Sequence, residues 1–157
     1  MNFRKFWKPS LVLAVLGMVL WGCSRTPVDS SPAKVLESYI KISFSISDVR
    51  DRKQMEALLT GDTLSRLLAW SDEQFSKAFL EAPKKFLGLK ILENRKVSDQ
   101  EVALTYELSF EEGPKDNLAQ VTQKKLCSVI RVDGLWKIKE VRSVRESIEY
   151  LKEFTLP

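Results

Sequence analysis

The chain has 157 residues, of which 44% are hydrophobic and 29% charged, with only 6 Gly and 6 Pro; that is one ordinary domain, neither collagenous nor low-complexity nor disordered throughout. Histidine is absent, which removes His-based triads, His-ligated zinc and imidazole acid–base chemistry from the inventory. The formal net charge of +4 is concentrated at the start, where Arg4, Lys5 and Lys8 stand without an acid.

Those basic residues precede an apolar run from Leu11 to Trp21, about half the roughly 20 residues that a membrane-spanning helix needs. A basic region, a short apolar stretch and then Gly22-Cys23 give the layout of a secretory signal peptide. The tetrapeptide Leu20-Trp21-Gly22-Cys23 resembles the lipobox of bacterial lipoproteins. The resemblance implies that the Cys23 thiolate takes diacylglycerol, that Leu20 and Gly22 are read by the signal peptidase, and that Cys23 becomes the acylated first residue. The membrane is then a partner through the lipid on Cys23. Ser24 in the next position implies, by resemblance to the sorting rule of diderm bacteria, the outer membrane facing the periplasm; the location is the cell envelope in any host. The expected organisation is a signal peptide over 1–22, a flexible tether over 23–31 and a single domain over 32–157.

Cleavage would remove three of the 25 basic residues and none of the 21 acidic ones, leaving a charge of about +1. The mature domain lacks the basic footprint of a nucleic-acid binder, so none is expected as a partner. Cys127 would be the remaining thiol, expected as a small packing residue, with an intermolecular disulfide left open.

Ser31-Pro32 supplies an N-cap and a first-turn proline, and Val35, Leu36, Tyr39, Ile40 and Phe44 recur at helical spacing, predicting a helix from Pro32 to Ile46. Arg50 to Ala69 reads as two short helices broken at Thr60-Gly61-Asp62. Ser71 and Gln74 form a capping-box pattern ahead of Phe75, Ala78 and Phe79, and Pro83 ends the periodicity. The period then falls to 2. Leu87, Leu89 and Ile91 alternate, and Val102, Leu104, Tyr106, Leu108 and Phe110 do so without exception, as on an antiparallel sheet with one wet face. Val121–Val132 and Leu135–Val144 flank Asp133-Gly134, a pair suited to the positive φ of a tight hairpin turn. Ser143 and Glu146 suggest a cap for a short C-terminal helix carrying Val144, Ile148 and Leu151. Helices followed by a four-stranded meander predict an α+β domain.

The leading helix, the Leu58–Asp62 turn and above all the hairpin Asp133-Gly134-Leu135-Trp136-Lys137-Ile138 resemble the cone-shaped nuclear transport factor 2-like superfamily, over about Pro32 to Val144; cystatin-like folds share the pattern. The resemblance implies N-terminal helices packed on a curved antiparallel sheet around a pocket used for catalysis, small-molecule binding or protein association. Tyr39, Tyr106 and Trp136 are the candidate pocket-lining residues, although Val102, Leu104, Leu108, Phe110, Trp136 and Ile138 facing inward would fill the cone with hydrocarbon. No Asp falls on an apolar stripe, no carboxylates have metal-ligand spacing, and no Gly-rich phosphate loop occurs. The expectation is therefore of no catalytic residues, no cofactor and no metal: an envelope lipoprotein that is not an enzyme. Two roles stand. One is an interaction or accessory module meeting an envelope protein partner on the outer sheet face, where Arg131, Lys137 and Lys139 would pair with Glu107 and Glu111. The other is a binder of a small apolar molecule or lipid in the cone. A homodimer through the open sheet is equally compatible.

Overall fold

A computed structural model describes residues 31–81, 84–114 and 117–151; the expected signal segment and all of the tether before Ser31 lie outside them. Helix α1 (Pro32–Ser45) starts with proline in its first turn and with the Ser31 hydroxyl accepting from the Lys34 N–H at 3.3 Å. It buries Val35, Leu36 and Ile40 and packs on both edges of the sheet. A single 3₁₀ turn, Val49–Asp51, is closed by a reciprocal Asp48–Asp51 capping box and leads straight into α2 (Arg52–Glu56). Thr60, in extended conformation, starts α3 (Gly61–Ala69), and the predicted Ser71–Gln74 capping box opens α4 (Asp72–Phe79), with bonds of 2.9 and 3.2 Å.

The four strands, β1 (Lys85–Lys96), β2 (Glu101–Glu112), β3 (Ala119–Val132) and β4 (Leu135–Tyr150), form an antiparallel meander in chain order. Strand β2 alternates buried and half-buried along its length, as its sequence predicts. Asp133 and Gly134 take φ of 51° and 82°, giving the mirror-image turn that matches strand twist. Both edge strands are bulged, at Leu87 and Leu92 in β1 and at Lys139 and Val144 in β4, whereas β2 and β3 pair without a break. Two extra residues on each edge bend the sheet, and the helices lie in the resulting trough.

Two expectations need correction. Leu87 does not join Leu89 and Ile91 on the inner face, because the bulge turns it outward, 40% exposed, and Phe86 instead meets the Phe44 ring at 5.4 Å. The short C-terminal helix is strand: Ser143 and residues 145–150 pair with Ala119–Lys125 of β3. Helix there would strip the β3 backbone of its partners along half its length.

The helical layer is held to itself by Arg52. Its guanidinium donates to the carbonyls of Trp70 and Ser71, both at 3.2 Å, lies 4.6 Å from the Phe75 ring centre and pairs with Asp72. Arg52→Ala is expected to lower stability by about 1.5–3 kcal/mol, the range for hydrogen bonds made by a charged group. Asp72→Asn, which removes only an exposed carboxylate, should cost about 1 kcal/mol or less. Urea denaturation followed by circular dichroism measures both.

Candidate functional site

The inner face of β3 is apolar at Val121, Cys127 and Val129 but carries Gln123 and Lys125 between them. Beside this polar pair the helices stand away from the sheet, leaving a cavity of about 530 Å³ between the second half of α1, the end of α4 and the middle of β2 and β3. Its walls include Ile40, Phe44, Phe79, Leu108 and Phe110. The cone is thus packed at one end, around Leu36, Met55, Leu59, Leu104, Val129 and Ile138, and open at the other. The expectation of a cone filled with hydrocarbon holds only for the packed end.

Tyr39, on α1, and Tyr106, on β2, both line this cavity. Tyr106 is 1% exposed, and its hydroxyl has no hydrogen-bond partner among the described residues. Burial raises the pKa of each phenol, and the neighbouring Cys127 raises it further. Both are therefore neutral donors at physiological pH. Trp136 does not join them. It sits at a separate, shallower cavity of about 370 Å³ between α1 and the hairpin, with the Arg131 guanidinium 5.7 Å from its ring centre. Cys127 is fully buried behind the two tyrosines, and its thiol is pushed up to about 12 by that burial, so it packs as an apolar group.

The remaining polar groups of the cavity fall into two sets. The Ser43 hydroxyl donates to the Ile40 carbonyl at 2.8 Å, Ser47 donates to Asp51, and Gln123 donates its amide to Glu146. Lys84, at the mouth, lies 3.5 Å from Glu112 and 5.2 Å from the Phe110 ring centre. Lys125 has no ion-pair or hydrogen-bond partner among the described residues. Its ammonium is held below the ordinary lysine value, first by burial and then by repulsion from Lys84, with Glu146 opposing. Sequence reasoning passed over Lys125 and Gln123. The signal was present in β3, where two polar residues interrupt an alternating apolar stripe.

The outer sheet face differs from expectation. Glu111 pairs with Lys85 at 3.1 Å, and Glu107 lies in register between Lys90 and Lys124. Lys137 and Lys139 belong to β4, separated from β2 by β3, so their expected pairs with these glutamates do not form. Among the described residues no group of His, Cys, Asp or Glu could hold a metal ion, and no helix is long and apolar enough to cross a membrane.

No protein-family model matches the chain, and no curated protein matches it. Solved structures do. A SEC-C motif-containing protein from Rhodopseudomonas palustris aligns with a TM-score of 0.57 at 16% identity, covering 77% of this chain and 84% of that one. The intermembrane-space region of the chloroplast protein ARC6 gives 0.53 at 17% identity, covering 70% and 91%. Hexachlorocyclohexane dehydrochlorinase LinA-type3 from Novosphingobium barchaimii gives 0.51 at 12% identity, covering 80% and 94%. With four helices on a curved antiparallel sheet among the described residues, the chain has the expected α+β cone fold, which it shares with the dehydrochlorinase. The dehydrochlorinase corrects the expectation that the chain is not an enzyme. The same architecture carries catalysis in that protein, so the fold is no ground for excluding it here; at this identity the likeness fixes fold and leaves activity to the site itself.

A lysine whose folded-state value is lowered costs stability while it is charged, and the cost is relieved as pH rises from that value to the unfolded one. Lys125→Met should therefore raise the urea midpoint at pH 7, and its advantage over the parent should shrink as pH approaches 10.5, the ordinary lysine value. Urea titrations across that range check the sign.

Proposed function

We propose that this chain is a lipid-anchored envelope protein whose domain binds a small, largely apolar molecule in the open end of its cone. The cavity carries the proposal. Its volume of about 530 Å³ lies inside the range of roughly 300–1,000 Å³ typical of small-molecule sites, and its walls combine aromatic and aliphatic side chains with the polar groups of Ser43, Ser47, Lys84, Gln123 and Lys125. The unpartnered Tyr106 hydroxyl is the kind of placed polar group that orients a ligand. Binding on the outer sheet face has less behind it: Glu111 is already paired with Lys85 within the sheet, and no cavity of that face matches this one in volume among the described residues.

Two results are expected. Native mass spectrometry of the chain released from lipid nanodiscs should show an adduct of a few hundred daltons, and Ala78→Phe, which places a ring in the cavity from α4, should remove it. An unliganded parent that also takes up no added aromatic or aliphatic compound would overturn the binding role. For the anchor, labelled palmitate should enter the parent in a bacterial host and be absent from Cys23→Ser. Equal labelling of the two would overturn attachment at that position.

A further inference from the structure

Apolar side chains share the cavity's wall with a comparable polar surface, and the charged side chains that line it, Lys84 and Lys125, are both cations. No carboxylate is among the lining residues. The nearest acids are already engaged: Glu112 lies against Lys84 at the rim, and Glu146, on β4, is held by the Gln123 amide and offsets the burial of Lys125 only in part. Lys125 could have stood on the wet face of β3, as Lys124 does, but its position in the alternation puts it inside with Tyr106 and Val141. A half-buried ammonium without a partner, next to a second ammonium, is an unfavourable arrangement for the empty protein. An anion placed between the two would relieve it, and the Tyr106 hydroxyl adds a neutral donor deeper in the cavity.

Resting on the binding role proposed above, we infer that the ligand is an anionic amphiphile, a single carboxylate or phosphate on an apolar body, with its head group received by Lys125 and Lys84 and its body lying against Phe44, Phe79 and Phe110. The aromatic walls supply dispersion and area burial, whereas the lysines select for charge. Lysine is a point charge without the planar fork of arginine, so the site distinguishes anion from neutral molecule more sharply than carboxylate from phosphate. The lowered Lys125 value accords with this: a bound anion would restore it toward that of an ordinary lysine.

The test uses the full chain in phosphatidylcholine nanodiscs, titrated calorimetrically at low ionic strength with 2-naphthoate, 2-naphthyl phosphate and the neutral 2-naphthamide. At least one of the two anions should bind about tenfold or more tighter than the amide, as expected for a charge-assisted contact in a partly desolvated site. A preference for naphthoate points to a carboxylate ligand, and one for naphthyl phosphate to a phosphorylated one. Lys125→Met should bring the anions down to the affinity that the same variant shows for the amide, with a circular-dichroism spectrum like the parent's showing that it is folded; Lys125→Arg should keep the preference. Equal affinity for all three compounds, or a preference that survives Lys125→Met, overturns the anionic head group while leaving the apolar cavity in use. Failure of every compound to bind removes the cavity's role altogether, and this inference with it.

Discussion

Everything in this fold depends on how a helical layer is seated on a sheet whose last strand would otherwise be a bare edge. Ile138 settles it. Its N–H donates to the Leu58 carbonyl and its carbonyl accepts from the Thr60 N–H, each at 2.9 Å, so the link between α2 and α3 docks on β4 like a very short fifth strand. The bulge at Lys139 completes the seat, because a carbonyl turned out of the ladder accepts from the Thr63 hydroxyl at 2.8 Å. Gly61, at φ of 58°, makes the chain turn away immediately afterwards and enter α3.

With that corner fixed, the two ends of the cone differ for geometric reasons. Near Ile138 the helices are bound to the sheet by backbone hydrogen bonds, and Leu36, Met55, Leu59 and Ile138 close over one another. Farther along, the edge strands curve at their bulges and α1 and α4 span the trough without touching its floor everywhere, which leaves the cavity. Tyr106 stands on the boundary: its ring belongs to the core and its hydroxyl to the cavity. Stability and the proposed binding thus draw on opposite ends of the described fold. Arg52 serves the first by joining α2 to the α3–α4 corner, and the pair Gln123 and Lys125 marks the second.

What could be read in advance follows the range over which each signal acts. The β2 alternation, the Asp133-Gly134 turn and the Ser71–Gln74 box are local patterns whose energetics are complete within a few residues, and all three stand in the structure. Bulges are not local, since they depend on the partner strand's register; hence alternation alone places Leu87 on the wrong face. Residues 143–150 carry a helical cap pattern, yet pairing with a long β3 outweighs it, a tertiary term that a single segment does not display. Tyr39 and Tyr106 were identifiable as amphipathic aromatics on apolar stripes, but Trp136 required the curvature to show that it faces the other end. Lys125 was hidden because charged residues on strands are ordinarily taken for the solvent face.

The length of β4 has one further consequence. Beyond Val141 the strand runs past the helices, with Val144, Ile148 and Tyr150 each about half exposed. A long, flat, apolar edge of this kind is a template for runaway strand addition between molecules. Here the stretch is interrupted by the Val144 bulge and punctuated by Arg142, Arg145, Glu146 and Glu149, charges that an incoming copy would have to desolvate. Glu146, which in the sequence suggests part of a helix cap, is therefore one of the gatekeepers that work against edge-to-edge growth of an open meander.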